Sequence, residues 1–158
     1  MNITENQVMK FYKKIEILNP SQLSISKISK KIDISIVNWE YSSEVVRWKG
    51  RTKVFLNADL NYQQKWQEFG HEMKHVFYDA GRQEFLPNTY VYFQECKADH
   101  FSYHFCIPTF MLQNVSDLSV YNIMNLFNVE FDFALRRLEM YQNKIISKGE
   151  TMCELQYM

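Results

Sequence analysis

The sequence predicts a single α+β domain in which a short three-stranded antiparallel sheet packs on helices, followed by a small helical C-terminal segment. The 158 residues are 46% hydrophobic and 16% aromatic, which is enough apolar material for one folded core. Short β-branched and aromatic runs occupy residues 34–56, and apolar residues recur at helical spacing on either side of them. The formal net charge of zero gives no reason to expect broad attraction to nucleic acid or to an anionic membrane.

Two helices are predicted at the N-terminus. The first covers Asn6 to Leu18 and ends at Asn19-Pro20-Ser21, because proline and its neighbours interrupt a helix. The second covers Ile25 to Ile32. This N-terminal region lacks the apolar core of a signal peptide, and no run approaches the roughly 20 residues that span a bilayer. The three cysteines show no disulfide pattern, so a cytoplasmic location with reduced thiols is expected.

The next stretch changes to the spacing of strands. Ile34 to Asn38, Glu44 to Trp48 and Thr52 to Leu56 are short runs rich in β-branched and aromatic residues. Lys49-Gly50-Arg51 is predicted to be a hairpin turn. The most economical arrangement of the three runs is an antiparallel sheet beside the helix that follows.

That helix carries the stretch His71-Glu72-Met73-Lys74-His75. Positions i and i+4 lie on one face of a helix, so His71 and His75 can hold one metal ion through neutral ring nitrogens. The apolar stripe of the same helix falls on nearly the opposite side. Glu72 can then act as the general base for attack of water on a peptide carbonyl. The spacing is that of zinc peptidases, although two histidines on an amphipathic helix can also be ordinary surface residues.

A second helix, which starts near Phe93 and runs towards Pro108, offers further ligands. A catalytic zinc ion needs a third protein ligand, and Glu95 is the candidate. Asp99 lies roughly 40° round the helix from Glu95, on the same face, and can accept the free ring N–H of a liganding histidine.

His100 and His104 are also one helical turn apart, but point about 140° and 180° away from Glu95 on an unbroken helix. A structural or substrate-facing role is favoured for both, with stabilisation of an oxyanion as the minority alternative. Asp79 to Tyr92 is predicted to be a loop beside the site. Its Tyr90 and Tyr92 are candidate oxyanion donors, although packing is the favoured role for each.

The two segments together resemble the ImmA/IrrE zinc metallopeptidases. In that family a His-Glu-x-x-His helix precedes a Glu-x-x-Ala-Asn/Asp helix that ends near an apolar-Pro pair. The matching residues here are Phe69 to His75, Glu95 to Phe101 and Ile107-Pro108. The chain departs from the family at Lys74, where glycine is usual, and at Lys97, where an acidic residue is common.

The resemblance implies a zincin-like metallopeptidase domain over residues 1–115. It implies one Zn2+ held by His71, His75 and Glu95, with Glu72 as general base. It also implies a cytosolic endopeptidase that inactivates a helix-turn-helix transcriptional repressor and so derepresses phage or mobile-element genes. Two alternatives remain open: a non-catalytic zinc-binding anti-repressor that disables the repressor by association, and a metal site that is structural or empty.

Residues 116–146 resemble a helix-turn-helix, with one helix over Leu118 to Phe127 and another over Phe131 to Tyr141, and residues 147–158 read as a flexible tail. Residues 116–158 carry four Lys/Arg and six Asp/Glu, a net charge of −2, whereas a phosphate-binding element should be basic. Direct DNA binding is therefore disfavoured. Packing against the peptidase core, or recognition of the repressor, is the expected role.

Overall fold

The computed structural model describes residues 1–78 and 85–156, with side chains described as far as residue 147. Its fold is α+β, as the sequence predicts, and its elements follow one another as α1 (Ile3–Lys14), a 3-10 turn (Pro20–Gln22), α2 (Ile25–Lys31), β1 (Ser35–Trp39), β2 (Glu44–Trp48), β3 (Arg51–Asn57), α3 (Tyr62–Tyr78), α4 (Asn88–Cys106), α5 (Thr109–Leu112), α6 (Val120–Phe127) and α7 (Phe131–Gln156).

The first helix begins earlier than its apolar pattern indicates, because Asn2 and Glu5 form a capping box. The backbone N–H of Glu5 donates to Asn2 Oδ1 at 2.8 Å, and that of Asn2 donates to Glu5 Oε2 at 2.7 Å. These two bonds satisfy donors that the first turn of a helix leaves unpaired. The helix ends at Lys14, two residues before Glu16 adopts a left-handed φ of 58°. The second helix matches its predicted range to within one residue.

The sheet is mixed, so the prediction of a purely antiparallel sheet is wrong. The strand order is β1-β3-β2, with β2 antiparallel and β1 parallel to the central β3. Residues 40–43 carry the chain from one side of β3 to the other, which leaves β1 and β3 running in the same direction. Periodicity identifies strands, but it does not say which side of a neighbour each strand will take.

The turn between β2 and β3 contains two residues, Lys49 and Gly50, with φ values of 49° and 74°. Positive φ at both positions is what a two-residue hairpin of matching twist requires, and glycine meets it without a steric penalty. Arg51 already belongs to β3, where it pairs with Trp48.

Helices α3 and α4 pack closely around a shared core. A Cβ atom added at Gly70 would lie 2.8 Å from the Cys106 sulfur, so only glycine allows this separation. The fully buried side chains of the core come from both ends of the chain and from the sheet; they include Tyr12, Ile28, Val54, Leu56, Phe69, Met73, Phe105, Ile123, Phe127 and Ala134.

The C-terminal helices meet at Asn128, whose φ of 54° is the left-handed conformation that ends many helices. The inner face of α7 is buried at Ala134, Arg137 and Leu138. Helix α7 therefore packs on the core through this face. It continues to Gln156, into the segment after residue 146 that the sequence predicts to be a tail. In the parts of the chain that are described, no helix has both the length and the apolar character needed to cross a membrane.

Candidate metal centre

Helix α3 presents its two histidines on the side away from the core. Trp66, Phe69 and Met73 are buried at helical spacing and fix the rotation of the helix. His71 and His75 consequently face the neighbouring α4. Because Gly70 lets α4 approach closely, acidic residues on α4 come within reach of both rings.

Three ligand residues converge between the two helices. His71 Nε2 lies 3.0 Å from Glu95 Oε2. His75 Nε2 lies 3.3 Å from His71 Nε2 and 3.4 Å from Glu95 Oε1. In a tetrahedral zinc site with bonds of about 2.0–2.1 Å, neighbouring donor atoms are about 3.3 Å apart. The observed spacing fits a zinc-sized ion, and among the described residues these three form the group suited to hold one.

Asp99 lies behind the first ligand. Its Oδ1 is 2.8 Å from His71 Nδ1, the ring nitrogen that does not face the donor group. An ionised carboxylate can only accept a hydrogen bond, so Nδ1 carries the proton and a neutral ring offers its Nε2 lone pair to a metal. Ser102 Oγ donates to the Asp99 carbonyl oxygen at 2.7 Å, which adds a contact within the same turn of α4.

Glu72 is buried between the core and the donor group, with 5% of its surface exposed. Burial raises the pKa of Glu72 to about 7, against the charge of His71, and the carboxylates of Glu68, Glu95 and Glu44 add to the rise. A carboxyl group with a pKa near neutrality is suited to accept and release a proton. A divalent cation nearby would favour its ionised form.

The carboxylates around His71 and its burial have opposite effects on its pKa. Burial favours the neutral ring, but Glu72, Asp99 and Glu95 together raise the pKa of His71 above its ordinary value. Negative charge that favours a proton on His71 also favours a metal cation, since both compete for the same nitrogen lone pair.

The two tyrosines do not lie on a loop, contrary to prediction. Tyr90 and Tyr92 belong to the first turns of α4 and are 49% and 72% exposed. A hydrogen bond to Cys96 raises the pKa of Tyr92. Helix α4 begins at Asn88, directly after Pro87, which is well suited to precede a first turn. Residues 79–84 of the predicted loop lie outside the described residues.

His100 and His104 are separate from the donor group. Their rings meet edge to face at a centroid distance of 4.8 Å, with His100 exposed and His104 buried. Burial, and then the charge of Arg137, lowers the pKa of His104 to about 3. Of the two roles that the sequence leaves open, this placement favours the structural one for His104.

One contact at the site has no counterpart among the predicted residues. A guanidinium nitrogen of Arg47, on β2, donates to the carbonyl oxygens of His75 at 2.7 Å and Val76 at 3.1 Å. The sequence holds a partial signal for it: Arg47 alternates with the half-buried Val45 and so lies on the same face of the strand, although its own side chain is exposed. Strand β2 also forms an edge of the sheet, and its Glu44 is among the charges that affect Glu72.

Comparison with known proteins places this site in a family. Residues 30–139 match the sequence profile of peptidase family M78, described as the IrrE N-terminal-like domain. The chain is 30% identical over 146 residues to the Uncharacterized protein YqaB of Bacillus subtilis (strain 168), covering 89% of this chain and 85% of YqaB. It is 31% identical over 145 residues to the Phage-like element PBSX protein XkdA of the same strain, covering 89% of this chain and 73% of XkdA.

No solved structure matches the chain with statistical significance. The matched profile extends over well more than half of the chain and contains both helices of the donor group. This chain therefore belongs to the ImmA/IrrE family of metallopeptidase-like proteins.

Proposed function

We propose that the protein is a cytoplasmic zinc-dependent endopeptidase that inactivates a partner helix-turn-helix repressor, and so derepresses phage or mobile-element genes. The observation that carries the proposal is the zinc-sized group of His71, His75 and Glu95 with a buried Glu72 beside it. A purely structural metal site does not require a buried carboxyl group beside the ligands, whereas a general base with a pKa near neutrality is suited to catalysis. The similarity to a protein of a phage-like element supports the proposed setting.

The donor set suits zinc, since two imidazoles and one carboxylate are the ligands of a common class of zinc peptidases. Zinc bound there would polarise the scissile carbonyl group and lower the pKa of the attacking water. Glu72 would take the proton from that water and pass it to the leaving amine. Asp99 would keep the ring of His71 in the correct tautomer and orientation.

The sheet offers a way to align the substrate. Strand β2 is an edge strand, so an extended peptide could pair with its outer N–H and C=O groups. Arg47 holds β2 against the last described turn of α3, which keeps this edge beside the donor group. The polypeptide bound there would lie next to Glu72.

The alternative function is a non-catalytic zinc-binding anti-repressor that acts by association. The observation in its favour is Lys74, which stands beside His75 where the resemblance leads one to expect glycine. Its ammonium nitrogen lies 5.1 Å from the centre of the Tyr78 ring. A bulky cationic side chain at this position changes the surface that a substrate must pass.

The test is to co-express the repressor encoded nearest the gene with the wild type, Glu72→Gln and the control Glu139→Gln, and to measure the intact mass of the repressor. Glu139 lies on α7, where it pairs with Arg136 on the surface. We expect matching fragments with the wild type and Glu139→Gln, and a rate lower by about two to four orders of magnitude with Glu72→Gln. Inactivation of an intact repressor by all three proteins would contradict cleavage and favour association.

A further inference from the structure

We propose that Arg47 is a positioning residue for the metal centre. From strand β2 it would hold the last described turn of α3, and with it the ring of His75, in the place that metal binding requires. This inference rests on the metal site of the proposed function, but not on the identity of the substrate.

Side-chain hydrogen bonds join β2 to the last described turn of α3. Helix α3 is described as far as Tyr78, and His75 lies in its last described turn. Arg47 donates to two carbonyl groups of this turn, those of His75 and Val76, at 2.7 Å and 3.1 Å.

Arg47 projects from the same face of the sheet as the buried Val54. Val45 pairs with the fully buried Val54, and Arg47 follows two residues later on the same face of β2. The side chain of Arg47 is exposed at this position. The other cations of strands β2 and β3, Arg51 and Lys53, pair with Trp48 and Val46 and therefore lie on the opposite face. The arginine thus occupies the position from which α3 can be reached.

The donor group needs precise spacing. Its three donor-atom pairs are separated by 3.0 to 3.4 Å, close to the edge length of a zinc tetrahedron. His71 lies one turn inside the helix, and Asp99 orients its ring. His75 lies in the last described turn of α3. Anchoring the carbonyl of His75 itself fixes the backbone from which its ring projects.

The proposal is tested by zinc affinity, measured by competition with a chelator on metal-free protein without any substrate. The variants are Arg47→Ala, Arg47→Lys and the control Arg51→Ala, which removes a cation from the opposite face of the same hairpin. We expect Arg47→Ala to bind zinc about tenfold more weakly than the wild type, as when other residues that orient ligands are removed. We expect Arg47→Lys to recover part of the loss and Arg51→Ala to match the wild type.

The absorption spectrum of the cobalt-loaded protein separates positioning from general stability. We expect Arg47→Ala to change the intensity of the visible bands, which depends on ligand geometry, at a temperature where circular dichroism shows it fully folded. Equal zinc affinities and equal spectra for Arg47→Ala and Arg51→Ala would overturn the role of Arg47 and leave the peptidase proposal standing. A wild type that binds no zinc would overturn both.

Discussion

Helix α4 separates two polar clusters that look alike in sequence and differ in chemistry. The metal cluster on one side consists of His71, His75, Glu95 and Asp99, and the buried ion cluster on the other consists of His104, Glu5, Thr109, Arg137 and Lys144. Each has a histidine from a pair spaced one helical turn apart. The ring centroids of the two pairs lie 5.1 Å and 4.8 Å apart.

The neighbours of each pair decide what it can do. Carboxylates surround His71 and raise its pKa, whereas burial and the cations Arg137 and Lys144 lower the pKa of His104. Neither ring nitrogen of His104 has a hydrogen-bond partner among the described residues. A metal ion beside His104 would face the positive charges of Arg137 and Lys144 against the single carboxylate of Glu5, which already pairs with Lys144. Spacing alone therefore does not define a metal site; the charge around the rings does.

The buried ion cluster has a structural role instead. Thr109 Oγ donates to Glu5 at 2.9 Å and accepts from Arg137 at 2.8 Å, and Lys144 pairs with the other Glu5 oxygen. Arg137 also donates to the Ile107 carbonyl at 3.1 Å. These bonds join α1, α5 and α7, so they attach the C-terminal helix to the N-terminus.

The largest difference between the clusters should appear in stability. Glu5→Gln removes a buried charge that Lys144 neutralises, which should lower the free energy of unfolding by about 2 kcal/mol, or roughly 6 °C in midpoint. Zinc affinity should stay unchanged. The control Glu139→Gln, at an exposed ion pair, should change stability by less than about 0.5 kcal/mol. Equal thermal midpoints for the two variants would show that the buried cluster does not stabilise the fold.

A smaller difference should appear in the response to pH, measured as thermal midpoints of metal-free protein. His104 titrates near 3 when folded and near 6.5 when unfolded, so its burial costs stability increasingly as pH falls from 6.5 towards 3. Burial raises the pKa of Glu5, but the hydrogen bonds to its carboxylate prevail and lower the pKa to about 2. The contribution of Glu5 to stability is therefore complete above pH 4.5 and is lost as the pH falls towards 2. The contribution of His71 to stability changes with pH in the opposite direction. Because the pKa of His71 is raised, this contribution is present below pH 6.5 and is lost as the pH rises through the folded pKa.

Between pH 7 and pH 5, therefore, His104 is the member of the buried ion cluster whose titration lowers the stability of the protein. We expect the thermal midpoint of His104→Gln to fall less than that of the wild type over this interval. The contribution of His71 is the same in both proteins and cancels in the comparison. A variant with the same pH dependence as the wild type would contradict the placement of a neutral His104 in the folded protein.

The sequence predicted those features that depend on local spacing. The second helix, the hairpin, and the relative placement of His71, His75, Glu95 and Asp99 follow from helical and strand periods together with a family resemblance. The glycine before His71 was part of that resemblance, and its packing against Cys106 explains how two helices come close enough to bring their ligands together.

Features that depend on distant partners could not be predicted in the same way. The direction of β1 relative to β3 is decided by which side of the central strand each neighbour takes. The surroundings of His104 depend on Glu5, whose partners Thr109 and Lys144 lie 104 and 139 residues away in sequence. The contact of Arg47 with α3 likewise crosses 28 residues. No local period contains that information.

The most direct test of this account is the zinc content of protein purified without added metal. We predict about one ion per chain for the wild type, for Glu72→Gln and for His104→Gln, because none of these changes removes a proposed ligand. We predict a large loss for His75→Ala and for Glu95→Ala, since each removes one of three donors. Unchanged zinc in Glu95→Ala, or loss of zinc in His104→Gln, would contradict the claim that the metal lies on the α3-facing side of α4.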